Sequence, residues 1–223
     1  MESAFDFAQK VALVAGGTGG IGQLIAAELS SRGCTVVTCS RTPNHDPMHI
    51  AADLRSPEAA QSLIKTVLEM HGSLDIVVNA IGVVAFGDIT STSVDTVEEL
   101  FLTNTFSHIF LSQAALPRLP KGSVMVGISG VIAEHNLPGM AAYGASKAAV
   151  RSFNEALSRE ARRIGIRVID ARPPHTETGL ATRAIEGVAP KFPHGLNPVS
   201  VARRIVLAIA SGEDDLPSTA FSN

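Results

Sequence analysis

A chain of 223 residues, 45% of them apolar, can bury a substantial core, and its length suits one domain spanning residues 1–223. The net charge of −3 and the lack of long basic runs argue against nucleic acid as a partner. No apolar run approaches the roughly eighteen residues that cross a membrane, and two cysteines, Cys34 and Cys39, are too few for a disulfide framework, so a reducing, cytoplasmic setting is expected.

The opening segment MESAFDFAQK lacks a basic region followed by an apolar stretch and is not read as a signal peptide. An apolar strand near 10–15 runs into a glycine cluster, Gly16, Gly17, Gly19, Gly20 and Gly22, and then into a helix near 20–32. Glycines there permit a tight turn, close approach of backbone amides to a pyrophosphate, and close packing of helix on strand. The helix N-terminus offers an anion its positive dipole end. A strand before and a helix after separate this pattern from an ordinary turn. A second strand, near 34–39, ends at Ser40 and Arg41. Only RTPNHDP separates it from a third, near 48–52, and Pro43 and Pro47 oppose a helix there, so an exposed loop is expected.

Helices then follow near 56–71, 94–116, 142–164 and 198–211, alternating with strands near 74–79, 122–128 and 166–171 and a last one near 216–219. The polar tail after Ser211 is expected to fray. Alternation of this kind predicts an α/β fold, a doubly wound parallel sheet of Rossmann type in three α/β/α layers. Ligands then bind outside the carboxyl ends of the strands. Gly16, Ser40, Asp53, Asn79, Ser129 and Pro173 all fall at those ends.

The helix near 142–164 carries the chemistry. Tyr143 and Lys147 are four residues apart and share a face. A free tyrosine has a pKa of about 10, too high for a proton shuttle at neutral pH. A fixed positive charge nearby is expected to lower it, which would fit the pair for general acid–base work. The spacing alone is weak, because it arises on many surface helices. The seven histidines are scattered without ligand spacing, and no metal site is expected.

Taken in order, AGGTGGIG at 15–22, Asp53-Leu54, Asn79-Ala80-Ile81-Gly82, Asn104 in FLTNTFSHIF, the Tyr143–Lys147 pair and the run from Pro173 to Thr178 resemble the landmarks of the short-chain dehydrogenase/reductase family over nearly the whole chain. That family's glycine motif is TGxxxGxG, and Ala15 stands where Thr is usual. Gly16, Gly19 and Gly22 also fit the TGxxGxxG of larger, extended members, but 223 residues leave little room for their extra C-terminal region. An extended-type epimerase or dehydratase is therefore disfavoured.

The resemblance implies a catalytic set of Asn104, Ser129, Tyr143 and Lys147. Tyr143 would exchange a proton with a carbonyl or alcohol oxygen as hydride moves, Lys147 would hold the nicotinamide ribose, and Asn104 would anchor a water that relays protons to Lys147. It also implies a dinucleotide held by Gly16, Thr18, Gly20, Ile21, Gly22, Ser40, Arg41, Asp53, Leu54, Asn79, Ala80, Gly82, Pro173, Thr176 and Thr178, with Tyr143 and Lys147. Members that prefer NAD carry an acid at the end of the second strand to hold the ribose 2′-OH. Ser40 and Arg41 stand there instead, and a guanidinium pairs with a 2′-phosphate, so NADP(H) is expected ahead of NAD. The implied substrate is a small carbonyl compound or secondary alcohol. The implied assembly is a homodimer or homotetramer through helices 94–116 and 142–164. Those helices carry more apolar positions than one buried face needs, among them Phe101, Phe106, Ile109, Phe110, Val150, Phe153 and Leu157.

Two departures from the family pattern matter. The catalytic serine usually precedes the tyrosine by thirteen residues, a position held here by Gly130, with Ser129 one place early. A one-residue shift on a strand reverses side-chain direction, although a bulge can restore it. Pro174 replaces a usual glycine and removes an amide donor. His175 follows and is read as an exposed loop residue, with a substrate-facing place as the alternative. Gly130 and Pro174 motivate a competing reading, a dinucleotide-binding sensor or subunit without turnover, since fold does not settle function.

Overall fold

The computed structural model describes residues 5–222, so the first four residues of MESAFDFAQK lie outside it. Seven parallel strands form one sheet: β1 Val11–Ala15, β2 Thr35–Ser40, β3 His49–Ala51, β4 Ile76–Asn79, β5 Val124–Ile128, β6 Arg167–Ala171 and β7 Asp215–Leu216. Their spatial order is β3-β2-β1-β4-β5-β6-β7. The reversal of direction between β1 and β4 makes the crevice beyond Ala15 and Asn79 the place for a ligand.

The central strands read as unbroken apolar runs because both faces are covered. Ala12, Val14, Ile76, Val78, Val126 and Ile169 pack against α1 (Gly20–Ser31) and α6 (Pro198–Ser211). Leu13, Ala15, Val77, Met125 and Val168 face the opposite layer, built from α2 (Pro57–His71), α4 (Ser107–Ala115) and α5 (Ala141–Arg162). Residues 41–48 form a helix-free loop, as the two prolines require.

Three expectations need correction. The helix expected at 94–116 is broken into α3 (Val94–Leu100), a π-helical segment (Phe101–Phe106), α4 and a final 3-10 turn, Leu116–Arg118. Pro117 marks the final turn, but no proline or glycine marks the π-helical segment. The widened turn carries the buried side chains of Asn104 and Thr105, which bond to Val83 and to Ser146 on α5. The tail after Ser211, expected to fray, is packed as far as Phe221. Arg172 donates its amide to the Leu216 carbonyl, and Leu216 and Phe221 are buried in the core beneath α6. Its strand ends at Leu216, and Ser218–Ala220 is a 3-10 turn. Finally, Val150 and Leu157 are buried within the chain, whereas Phe106 stays 42% exposed and Phe101, Ile109, Phe110 and Phe153 are half-buried. Among the described residues no helix is long and apolar enough to cross a membrane.

Candidate active site

The glycine turn is built for close approach. Gly16 has φ +78°, and a Cβ there would lie 2.8 Å from the Ala80 carbonyl carbon, so β1 and β4 turns touch backbone to backbone. A Cβ on Gly22 would fall 2.2 Å from the Gly16 oxygen. Helix α1 starts beyond Gly19 with no side-chain cap and no acid in its first turn. By contrast α2, α3 and α6 are capped by Ser56, Ser93 and Asn197. The first amides of α1, those of Gly20, Ile21 and Gly22, therefore lack a side-chain acceptor and fit the pyrophosphate of a dinucleotide. Thr178 lies against this helix start, where a Cβ on Gly20 would meet its Cβ at 2.7 Å. Thr18 is exposed at the tip of the turn.

Toward the adenosine side, Ser40 ends β2 and donates to the Thr42 carbonyl at 3.1 Å. Arg41 is exposed and lies 3.8 Å from Glu99. Asp53 is gripped by Arg55, whose Nε and Nη2 donate to it at 2.9 and 2.5 Å and hold its carboxyl below the usual range. Arg55 also donates to Glu99 at 2.7 Å. Leu54 is buried beneath this pair. Arg55 and Glu99 are invisible as site residues in the sequence, because 44 positions separate them.

Tyr143 and Lys147 line a cavity of about 300 Å³ that also borders Gly20, Ile21, Ala80, Gly82, Pro173, Thr176 and Thr178. The expected dinucleotide contacts from three separate loops thus share one space with the expected proton donor. A Cβ on Gly82 would lie 3.3 Å from Lys147 Nζ and 3.4 Å from Asn104 Oδ1, so these two groups converge on the β4 turn. Asn104 is buried: its Oδ1 accepts from the Val83 amide at 2.8 Å, and its Nδ2 donates to the Val83 carbonyl and to Ser146 Oγ. Both amide hydrogens are thereby spent on holding the turn, and only Oδ1 keeps a lone pair for the expected water. A larger cleft, about 850 Å³, lies at the amino ends of the strands beside Lys10, Gly122 and Gly212 and contains none of these residues.

The profile of the short chain dehydrogenase family matches residues 10–188. The chain belongs to the short-chain dehydrogenase/reductase family. It is 30% identical to a dehydrogenase/reductase SDR family protein 7-like of Anopheles gambiae, over 93% of this chain and 74% of that one. A Burkholderia phymatum short chain dehydrogenase/reductase in complex with NAD shares the fold at TM-score 0.85, with 21% identity over 96% of this chain and 90% of that one. A Burkholderia cenocepacia short chain dehydrogenase in complex with NADP superposes at TM-score 0.81, with 25% identity over 97% of this chain and 99% of that one. This short-chain dehydrogenase/reductase is accordingly an oxidoreductase acting on CH–OH or carbonyl groups.

Against that family pattern the pair on α5 behaves differently from the sequence expectation. Burial pushes the Tyr143 phenol up to about 12. Lys147 is itself buried, which draws its pKa down to about 8 against the opposing pull of Asp170. Its Nζ donates to the Ile128 carbonyl at 2.9 Å. A desolvated phenol favours its neutral form.

Ser129 is fully buried, and its hydroxyl turns to Asp170, donating at 2.8 and 3.0 Å to the two carboxylate oxygens. Ser129 borders the cavity, but its hydroxyl is engaged by Asp170. Asp170 terminates a polar chain that crosses the sheet. Asn79 Nδ2 lies 3.2 Å from His108 Nδ1, His108 Nε2 lies 2.6 Å from Asn154 Oδ1, and Asn154 Nδ2 donates to Asp170 at 2.8 Å. Gly127 makes the room, since a Cβ there would strike Asn154 at 2.4 Å. Burial lowers the His108 pKa, so the ring is neutral, and donor order assigns its proton to Nε2. At the other end Arg172 donates to Asp170 at 2.5 Å and also pairs with Glu134 and Asp215. The chain anchors Asn79, whose Oδ1 accepts from Ile81 in the β4 turn. Its one sequence signal is an acid and an arginine two apart at the end of β6. Gly130, at the usual serine position, has φ +78° and borders the cavity without a side chain.

Proposed function

We propose that the protein is an NADP(H)-dependent reductase that converts a carbonyl compound to a secondary alcohol, reversibly, with Tyr143 as the proton donor. The observation that carries this reading is the shared cavity: Tyr143 and Lys147 open onto the same space as the glycine turn and the Pro173–Thr178 loop. The bound dinucleotide supplies the hydride. A phenol with a pKa near 12 is protonated throughout the physiological range, which is the form that donates to a carbonyl oxygen. Lys147 holds the ribose and Asn104 fixes the turn that seats it. The preference for NADP(H) over NAD rests on Arg41, whose exposed guanidinium stands at the end of β2 with no acid at position 40 to repel a phosphate. We take the chain as a single domain, assembling as a homodimer or homotetramer in the cytoplasm.

The walls around Tyr143 are largely apolar, with Val84, Phe86, Ile132, Leu137, Met140 and Phe192. They favour a hydrophobic carbonyl compound. The test is NADPH oxidation against a panel of apolar aldehydes, ketones and quinones. Tyr143→Phe should abolish turnover while NADPH binding persists. A second reading, a dinucleotide-binding sensor, draws on Ser129 turned to Asp170 and Gly130 lacking a side chain. It gains if no carbonyl in the panel oxidises NADPH although NADPH binds.

A further inference from the structure

Gly130 leaves one wall of the cavity without the hydroxyl that short-chain reductases place there, and Ser129 spends its own on Asp170. A substrate oxygen bonded by Tyr143 alone loses a donor whose removal from comparable sites lowers kcat by about 10²–10³. Another group on the same wall is placed to replace it. The Gly130–Val131 backbone is pinned to the loop after β6, with the Val131 amide on the Pro173 carbonyl at 3.0 Å. Two residues further along that loop stands His175, whose side chain is 35% exposed and lines the cavity with Tyr143.

The ring of His175 is held on three sides. Phe192 stacks on it with centroids 4.9 Å apart at 33°. Gly195 closes on its Cδ2 edge so tightly that a Cβ there would sit 2.8 Å away. Glu177 Oε1 lies 3.6 Å from its Nε2. Glu177 is fixed in turn by the Gly195 amide at 2.7 Å, and the His175 carbonyl accepts from the Leu196 amide at 2.8 Å. In the protonated ring both nitrogens donate, so Nδ1 can donate to a ligand while Nε2 faces the carboxylate; a neutral ring with its proton on Nε2 would leave Nδ1 an acceptor only. Among the described residues Nδ1 has no hydrogen-bonding partner. A loop histidine with only a solvent role needs neither an aromatic clamp nor an orienting acid.

We infer that His175 is a catalytic residue of this enzyme: its protonated ring donates from Nδ1 to the substrate oxygen beside Tyr143, in place of the serine hydroxyl. The inference rests on the carbonyl-reductase reading given above and deepens it. Glu177 and Phe192 are positioning residues that act through the ring. Glycine at 130 then makes room for an oxygen approached from the β6 loop.

The test compares kcat and KM for NADPH-dependent reduction in the unmodified protein, Tyr143→Phe, His175→Phe and His175→Gln, with NADPH affinity read by its own fluorescence. Phenylalanine keeps the stack on Phe192 and removes the donor, whereas glutamine keeps a donor. His175→Phe should lower kcat by about 10²–10³ at unchanged NADPH affinity. His175→Gln should recover all but about tenfold of the rate. If Tyr143→Phe is inactive while His175→Phe stays within a few-fold of the unmodified protein, this inference is overturned and the reductase reading stands. If His175→Gln is as poor as His175→Phe although both bind NADPH normally, donation from His175 is refuted. If the unmodified protein reduces nothing in the panel, both readings fall together.

Discussion

Tyr143 is the only tyrosine in the chain, and tryptophan is absent, so the alkaline absorbance change of the folded protein reports this one phenol. Burial raises its pKa from 10 to about 12. Two units correspond to roughly 2.7 kcal/mol of preference for the neutral form. The sign follows from linkage: the folded pKa lies above the unfolded one, so the unfolded chain ionises first. This contribution to stability is complete below about pH 10 and is lost as pH rises toward about 12. A rapid pH jump with absorbance detection reads the folded midpoint before the chain opens, and urea melts on either side of about pH 10 read the linked loss of stability. Lys147→Met provides the control. Because burial is the cause of the shift, removal of the lysine should leave the midpoint within about half a unit. A midpoint at or below about 10, or a rise of about a unit or more in Lys147→Met, would show that the lysine already acts on the phenol in the free protein and would refute the argument from burial.

Arg41→Ala should weaken NADPH by roughly ten- to a hundredfold, the value of a hydrogen-bonded charge contact, and leave NADH unchanged; equal affinities for both cofactors in the unmodified protein would remove the basis for NADP preference. Asp170→Ala should cost about 3–5 kcal/mol in urea unfolding, since it strips a buried partner from Arg172, Ser129 and Asn154; a loss under about 1 kcal/mol would show the chain across the sheet to be unimportant. Ser129→Ala should lower stability by roughly 1.5–3 kcal/mol yet leave turnover intact, because its hydroxyl serves Asp170; abolished turnover with normal stability would make Ser129 catalytic after all. Gly130→Ser, attractive from the family pattern as a gain of function, should instead cost about 1–3 kcal/mol, because φ +78° strains any side chain; an unchanged melting temperature would contradict this. Sedimentation at micromolar concentration should find a dimer or tetramer, and Phe106→Glu should split it; a monomeric unmodified protein would refute the assembly.

The sequence by itself determined most of the elements, the layers and the cofactor end of the sheet. Apolar runs buried on both faces, helices at a 3.6-residue period and five clustered glycines are local patterns, and each has one structural outcome in a doubly wound sheet. The spacing of Tyr143 and Lys147 likewise fixes their shared face through helix geometry alone. Interactions between distant segments were another matter. Asn104 sits on a π-helical turn because its side chain finds Val83 and Ser146, contacts 21 and 42 residues away. The tail is ordered because Leu216 and Phe221 reach the core under α6, which a polar composition concealed. The direction of Ser129 was open in the sequence, since a bulge would have reversed it. Tertiary structure decided it by burying Asp170 within hydrogen-bond reach, where an unpaired carboxylate would be far costlier than a misdirected hydroxyl. The same burial decided the protonation of Tyr143 and Lys147. A pKa responds to the solvent that folding removes from around a group, and four residues of helix do not reveal how much that is.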